Sequence, residues 1–286
     1  QIDNSGSQLS ISNYQVITDA VHLHRRDYNL LPQIFPDGSQ GYMISSGVFQ
    51  IIVDLPFLYP VDIKESGYVP QTTFNQYLSN YHSAKSCLYD GVNNRMHKLF
   101  FGGMSQYYYN GTTLVQDNNV PFVNTISRVT RFADGSLQEY QMPETMPSLK
   151  GASAEFIPNK SLPHFENEVL KLDEITADEF VIGHIVGGLS SPTQNPFSVN
   201  QTNTTSANPT IYEVKLIRNE PLKVHEIEGK NPFTMTVSPN PTLSNIVKIN
   251  FNMPYVTTID YFVSSIDGKI ISDGEIEDVT LGKNAM

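Results

Sequence analysis

The sequence has no tryptophan and one cysteine, and charged residues make up only 16% of its 286 positions. A single cysteine excludes an intramolecular disulfide, so the fold must rest on core burial in whatever compartment it occupies. Lysine and arginine number 18 against 29 aspartates and glutamates, a formal charge of −11. That deficit of cations removes the counterion release on which nucleic-acid binding depends. It disfavours anionic membrane surfaces for the same reason. The densest basic stretch, His22-Leu23-His24-Arg25-Arg26, is followed at once by Asp27 and reads as a structural turn. Long apolar runs are missing too. The longest, from Gly47 to Leu58, is broken by Asp54 and Pro56, short of the ~20 residues of a transmembrane helix. The chain opens on Gln1 without a recognisable secretory leader, and a leader or a longer N-terminal portion is expected upstream.

Motifs of catalysis are equally scarce. There is no HExxH, no Walker loop, no Gly-x-Ser-x-Gly and no Cys/His metal spacing. Cys87 sits in the alternating run Ser83 to Tyr89 and reads as a small buried hydrophobe. His184 interrupts an apolar strand and reads as a satisfied core histidine. His22 and His24 share a strand-like spacing but have no third ligand beside them. The acidic pairs Asp173-Glu174 and Asp178-Glu179 are chain neighbours, whereas glycoside cleavage needs two carboxyl groups facing each other across a bond. They read as a solvated insertion. The residues assign no catalytic group, cofactor or metal.

What is present is β-forming. Tyrosine and phenylalanine number 15 each, and such aromatics suit half-buried pleated surfaces. Three segments share one internal order. The first has Leu30 to Phe35, a turn at Pro36-Asp37-Gly38-Ser39, Tyr42 to Phe49, and Pro56 to Ile63. The second has Ser83 to Tyr89, Lys98 to Ser105, Pro121 to Val129, a turn at Asp134-Gly135, and Leu137 to Tyr140. The third has Gly151 to Ile157, an acidic insertion, Phe180 to Ser190, and Pro209 to Ile217. Asp-Gly between apolar runs signals a hairpin, because glycine accepts the positive φ of a tight turn. Ser46-Gly47, Gly102-Gly103 and Gly187-Gly188 hold equivalent places at the end of an apolar run. Small residues there fit a close approach of backbones.

These repeats resemble the blades of kelch-type β-propellers, in which a strand ends in Gly-Gly and a later strand carries aromatics. The resemblance covers Tyr28 to Asn219, although Ser46 stands for a glycine and tryptophan is absent. It implies an all-β fold: an incomplete propeller of about three blades plus one strand, Leu9 to Ile17, followed by a partial β-sandwich. Ring closure takes four to eight blades, so further blades are expected upstream.

Composition shifts after Asn219, which divides the chain into blades over 1–220, a linker over 221–232 and a small β domain over 233–286. Val237-Ser238-Pro239-Asn240-Pro241-Thr242, with Asp267-Gly268-Lys269 downstream, is similar to the type A sorting domain of the type IX secretion system. Pro239, Asn240, Pro241 and Gly268 carry that resemblance. It implies export across the outer membrane of a Bacteroidetes-type bacterium, with the secretion machinery as a partner. The final strands of such a domain are not visible before Met286. The expected function is a secreted or surface binding module for a glycan or a protein. Tyr107, Tyr108 and Tyr109, with the insertion over Ser190 to Asn208, form the candidate ligand face. The alternative is a carbohydrate-active enzyme, an oxidase, sialidase-like or epimerase-like, of the kind kelch propellers include.

Overall fold

The computed structural model describes residues 2–3, 6, 8, 10–12, 14–78, 80–218, 234–238, 248–253, 257–264, 270–279 and 282–285. The chain divides into two compact units, Gln1–Arg218 and Asn219–Met286. The described strands form several antiparallel sheets, and no sheet closes on itself.

Three sheets follow one another along the first unit. The first is a meander of Asn29–Ile34, Gln40–Ser45, Val61–Lys64 and Gly67–Pro70, each strand paired with the next. Ala84–Asp90, Arg95–Met104, Phe122–Arg131 and Leu137–Thr145 make the second, again a meander, with Leu170–Lys171 added in parallel beside its first strand. The third comprises Ala154–Pro158, Glu179–Gly187 and Tyr212–Ile217. Both Asp-Gly turns form as the sequence leads one to expect. Gly38 and Gly135 take φ of 78° and 87°. In each turn the aspartate Oδ1 accepts the N–H and the hydroxyl of the serine that follows. Between Leu9 and Ile17, by contrast, only Ser10–Ile11 is a strand among the described residues, and it pairs with Ile2–Asp3.

The period-2 pattern of each strand stacks the sheets. On one side of the second sheet, Cys87, Met96, Phe100 and Val129 pack against Leu31, Ile34 and Met43 of the first. On the other side, Ala84, Leu88, Leu99 and Phe101 meet Ala154, Phe180, Ile182 and Ile185 of the third. The middle sheet is thus buried on both faces, and Phe100 has no exposed surface. Burying a phenylalanine side chain contributes about 2–3 kcal/mol. The acidic insertion is not wholly solvated. Its acidic pairs are exposed, but Val169, Leu170 and Ile175 are buried in these clusters and anchor it.

Polar groups trapped between the first two sheets pair with each other. Asp62 accepts from Arg131 at 2.7 Å to each oxygen, from Gln71 at 2.7 Å and from Gln33 at 3.2 Å. Lys98 donates to Gln33 Oε1, and burial pushes the Lys98 ammonium down to about 7. A buried charge costs several kcal/mol unless it is so compensated.

The small-residue pairs do more than end a strand. Ser46-Gly47, Gly102-Gly103 and Gly187-Gly188 all have positive φ, at 55° and 88°, 65° and 100°, and 70° and 80°. In each sheet the second residue of the pair lies against a residue at the entry to the first strand, just before it (Tyr28, Ser83) or at its first position (Ala154). A β-carbon on Gly47 would stand 2.9 Å from Tyr28 Cβ, on Gly103 2.9 Å from Ser83 Cβ, and on Gly188 2.7 Å from Ala154 Cβ. Backbone hydrogen bonds then close the same corner three times: Val48 N to Arg26 O at 2.9 Å, Tyr81 N to Met104 O at 3.0 Å, and Leu189 N to Ala152 O at 2.8 Å. Glycine is required here by both φ and space. Ser46 departs from the pattern, and its buried hydroxyl has no hydrogen-bond partner.

In the second unit, Thr234–Ser238, Lys248–Met253 and Gly282–Ala285 form one antiparallel sheet, and Thr257–Ser264 pairs with Ile270–Val279. Phe251 is buried there beside Ile249 and Ile276. Pro239, Asn240, Pro241 and Gly268 lie outside the described residues.

The three corners predict a graded substitution series. A β-carbon on Gly102 would overlap the Lys150 carbonyl oxygen, whereas one on Gly187 meets nothing within 4 Å. In urea unfolding, Gly187→Ala should cost about 1–2 kcal/mol from φ alone, and Gly102→Ala at least about 3 kcal/mol. Ser46→Gly should be neutral or stabilising, since it removes an unsatisfied hydroxyl.

Candidate ligand-binding site

In an antiparallel meander the end of the second strand lies beside the start of the first. The segment before the first strand and the connector after the second therefore share one end of each sheet. Asp27, His82 and Ser153 occupy the same place before the first strands, with φ of 54°, 52° and 57°. The three sheets bring them together. Asp27 Oδ1 lies 4.0 Å from His82 Nδ1, which lies 3.4 Å from Ser153 Oγ, and Ser153 N donates to His82 O at 2.7 Å. The connectors after the second strands run over 46–60, 105–121 and 188–211, and both sequence candidates lie in them.

The tyrosine run is not a loose loop. Tyr107–Asn110 pairs with Thr113–Gln116 as a small hairpin directly after the Gly102-Gly103 corner. Tyr107 packs edge-on against Tyr77, with ring centres 5.0 Å apart at 68°. Tyr108 is half-buried, while Tyr109 is 39% exposed. The insertion over 190–208 reaches the same neighbourhood. Asn195 Nδ2 donates to Asp117 Oδ2 at 2.9 Å, and Phe122 N donates to Gln194 O at 2.9 Å. The two candidates thus sit side by side, joined at the connector from the hairpin back to the second sheet.

Sequence reading missed the residues that complete the site. Tyr77, Leu78, Tyr109, Leu114, Glu139 and Gln141 line a cavity of about 170 Å³. Glu139 and Gln141 come from the outer strand of the second sheet, two positions apart and so on one face. Both oxygens of Glu139 accept the Leu78 N–H, at 3.0 and 3.1 Å. Burial pushes the Glu139 carboxyl up to about 8, against the pull of the Leu78 and Tyr77 N–H groups. The group is therefore mostly protonated at neutral pH, able to donate as well as accept. A larger cavity, about 430 Å³, runs along the first strands of all three sheets, where Leu30, Lys85 and Phe156 share its wall.

The remaining sequence candidates go elsewhere. Cys87 is buried, and burial pushes its thiol up to about 12, which makes it inert at neutral pH. His184 is not a core histidine. Its side chain is 46% exposed on the outer face of the third sheet, 4.0 Å from Glu213. His22 Nδ1 pairs with the Tyr59 hydroxyl at 2.8 Å and His24 Nδ1 with Phe49 O at 2.9 Å, so they do not converge. Arg25 in the same stretch is buried, stacked 4.0 Å over Phe57, with Nη1 donating to Ser46 O and Tyr59 O. The basic cluster is indeed structural.

Known protein families, curated proteins and solved structures offer no match to this chain. The site must be read from its own geometry. Aromatic faces, one carboxyl and one primary amide around a small cavity make a binding pocket by composition. The described residues hold no second carboxyl in this cavity and no group of three or more His, Cys, Asp or Glu able to hold a metal.

Glu139 supplies a pH test. Its folded value of about 8 exceeds the ordinary 4.5, so the folded chain binds the extra proton between those values. That contribution is complete below about 4.5 and is lost as pH rises through about 8. Measured against Glu139→Gln, the wild-type chain should lose denaturant stability from pH 5 to pH 8. A difference independent of pH would contradict the burial of this carboxyl.

Proposed function

We propose that the chain is a kelch-like β-propeller module that binds a ligand outside the cell, through the connectors that follow the second strand of each sheet. The single observation that carries the reading is convergence. Three stacked sheets repeat one corner, and the corner residues Asp27, His82 and Ser153, the tyrosine hairpin and the 190–208 insertion all fall at the same end. A scaffold that gathers one connector from each of three sheets at one end suits recognition, because binding residues concentrate on loops held by rigid elements. The first strands lie side by side along the 430 Å³ cavity, which supports a propeller arrangement. Export by type IX secretion rests on Pro239, Asn240, Pro241 and Gly268, with the secretion machinery as the partner of the second unit. The net charge of −11 favours ligands other than nucleic acids.

The test is a binding screen of the full chain on glycan and protein arrays, run alongside release of reducing sugar from polysaccharides. Saturable binding without turnover is expected. Turnover of a polysaccharide with no array binding would favour the carbohydrate-active enzyme instead and defeat the binding-module reading.

A further inference from the structure

We propose that the cavity between the tyrosine hairpin and the outer strand of the second sheet receives one neutral, hydroxyl-rich ring, a pyranose unit of a glycan. Tyr109 would be its stacking platform, and Glu139 and Gln141 its polar anchors. The inference rests on the binding-module reading and names its ligand class and site.

Size is the first constraint. At about 170 Å³ the cavity is well below the ~300–1,000 Å³ of pockets that enclose drug-sized ligands. It suits one ring, with the rest of a longer ligand leaving past the 39%-exposed Tyr109. Charge is the second. The lining contains no lysine, arginine or histidine, so nothing there pairs with an anionic ligand. Its one carboxyl is held mostly neutral at pH 7 by burial, so a cation finds no counter-charge. What remains is a set of neutral donors and acceptors, the Glu139 carboxyl and the Gln141 amide, opposite the apolar surfaces of Tyr77, Tyr109 and Leu114.

A pyranose matches that division, since its C–H face is apolar and its hydroxyl edge both donates and accepts. Aromatic rings present a π face that attracts the partly positive C–H groups. The two walls are also held in place. Tyr77 is braced by Tyr107 at 5.0 Å. The hairpin fixes Tyr109 opposite Leu114. The Leu78 N–H fixes the Glu139 carboxyl. Such prepaid order raises affinity by lowering the cost of immobilising the site.

The experiment titrates the full chain at pH 7 with cellohexaose, mannohexaose and xylohexaose, and with hexagalacturonate as an acidic comparison. It uses wild type, Tyr109→Ala, Glu139→Ala and Glu139→Gln, each checked for an unchanged unfolding transition. At least one neutral oligosaccharide should bind. Tyr109→Ala and Glu139→Ala should each weaken it tenfold or more. Glu139→Gln, whose amide imitates the neutral acid, should stay within about threefold. A readout on unaltered protein stands beside the variants: the bound oligosaccharide should protect Tyr109 from nitration by tetranitromethane. Glycan binding that survives both alanine variants, with Tyr109 unprotected, would overturn the site but leave the binding module standing. Preference for hexagalacturonate would overturn the ligand class. Binding to protein arrays alone would also overturn it. Silence on both arrays would sink this inference together with the reading beneath it.

Discussion

The first unit depends on one close approach, made three times. Where the second strand of each sheet ends, two consecutive residues turn to positive φ, and the second of them lies against a residue at the entry to the first strand. A side chain there has no room at Gly47, Gly103 or Gly188. The tight corner lets the first strand of one sheet lie beside the first strand of the next, and it throws the connector outward at that end. The shared end of the connectors and the stacking of the sheets are therefore consequences of one backbone constraint.

Stacking then distributes the core. The middle sheet is buried on both faces, and its second strand carries the change of side residue by residue: Met96, Lys98 and Phe100 toward the first sheet, Leu99 and Phe101 toward the third. Polar residues are admitted to the seams, and several of them pair there. Asn80 donates to Gly102 O and Thr125 O, while its own carbonyl accepts from Asn29, whose Oδ1 takes the Ser83 N–H. Those bonds run from the first sheet to the second at the corner itself. Buried amides that satisfy backbone groups specify one arrangement of neighbouring elements, because leaving any of them unpaired costs about 1–3 kcal/mol.

Local features were readable in the sequence and long-range ones were not. Asp37-Gly38 and Asp134-Gly135 announced their turns because their chemistry is local. The small pairs marked three sheet ends because close approach leaves a trace in composition. Tyr107 to Tyr109 drew attention as a run, but nothing in it told that Tyr107 would brace Tyr77 while Tyr109 lined a cavity. Glu139 and Gln141 left no signal. An acidic residue on an outer strand looks solvated until register brings the 77–78 segment over it, and register is set by the whole meander. The insertion before the second strand of the third sheet was misjudged for a similar reason: its exposed acids dominate the composition, while Val169, Leu170 and Ile175 do the anchoring.

Three equivalent corners meet at one end of the stacked sheets. Cross-linking tests it directly, since Cys87 is buried and will not compete. Double variants Asp27→Cys with His82→Cys, and His82→Cys with Ser153→Cys, would be treated with a short bis-maleimide under native conditions. His82→Cys with Asp134→Cys serves as the control, because Asp134 lies in the turn at the other end of the second sheet. Rapid cross-linking of both corner pairs, and none of the control, is the expected result. Folded protein in which neither corner pair cross-links would contradict the shared corner and the stacked order built on it.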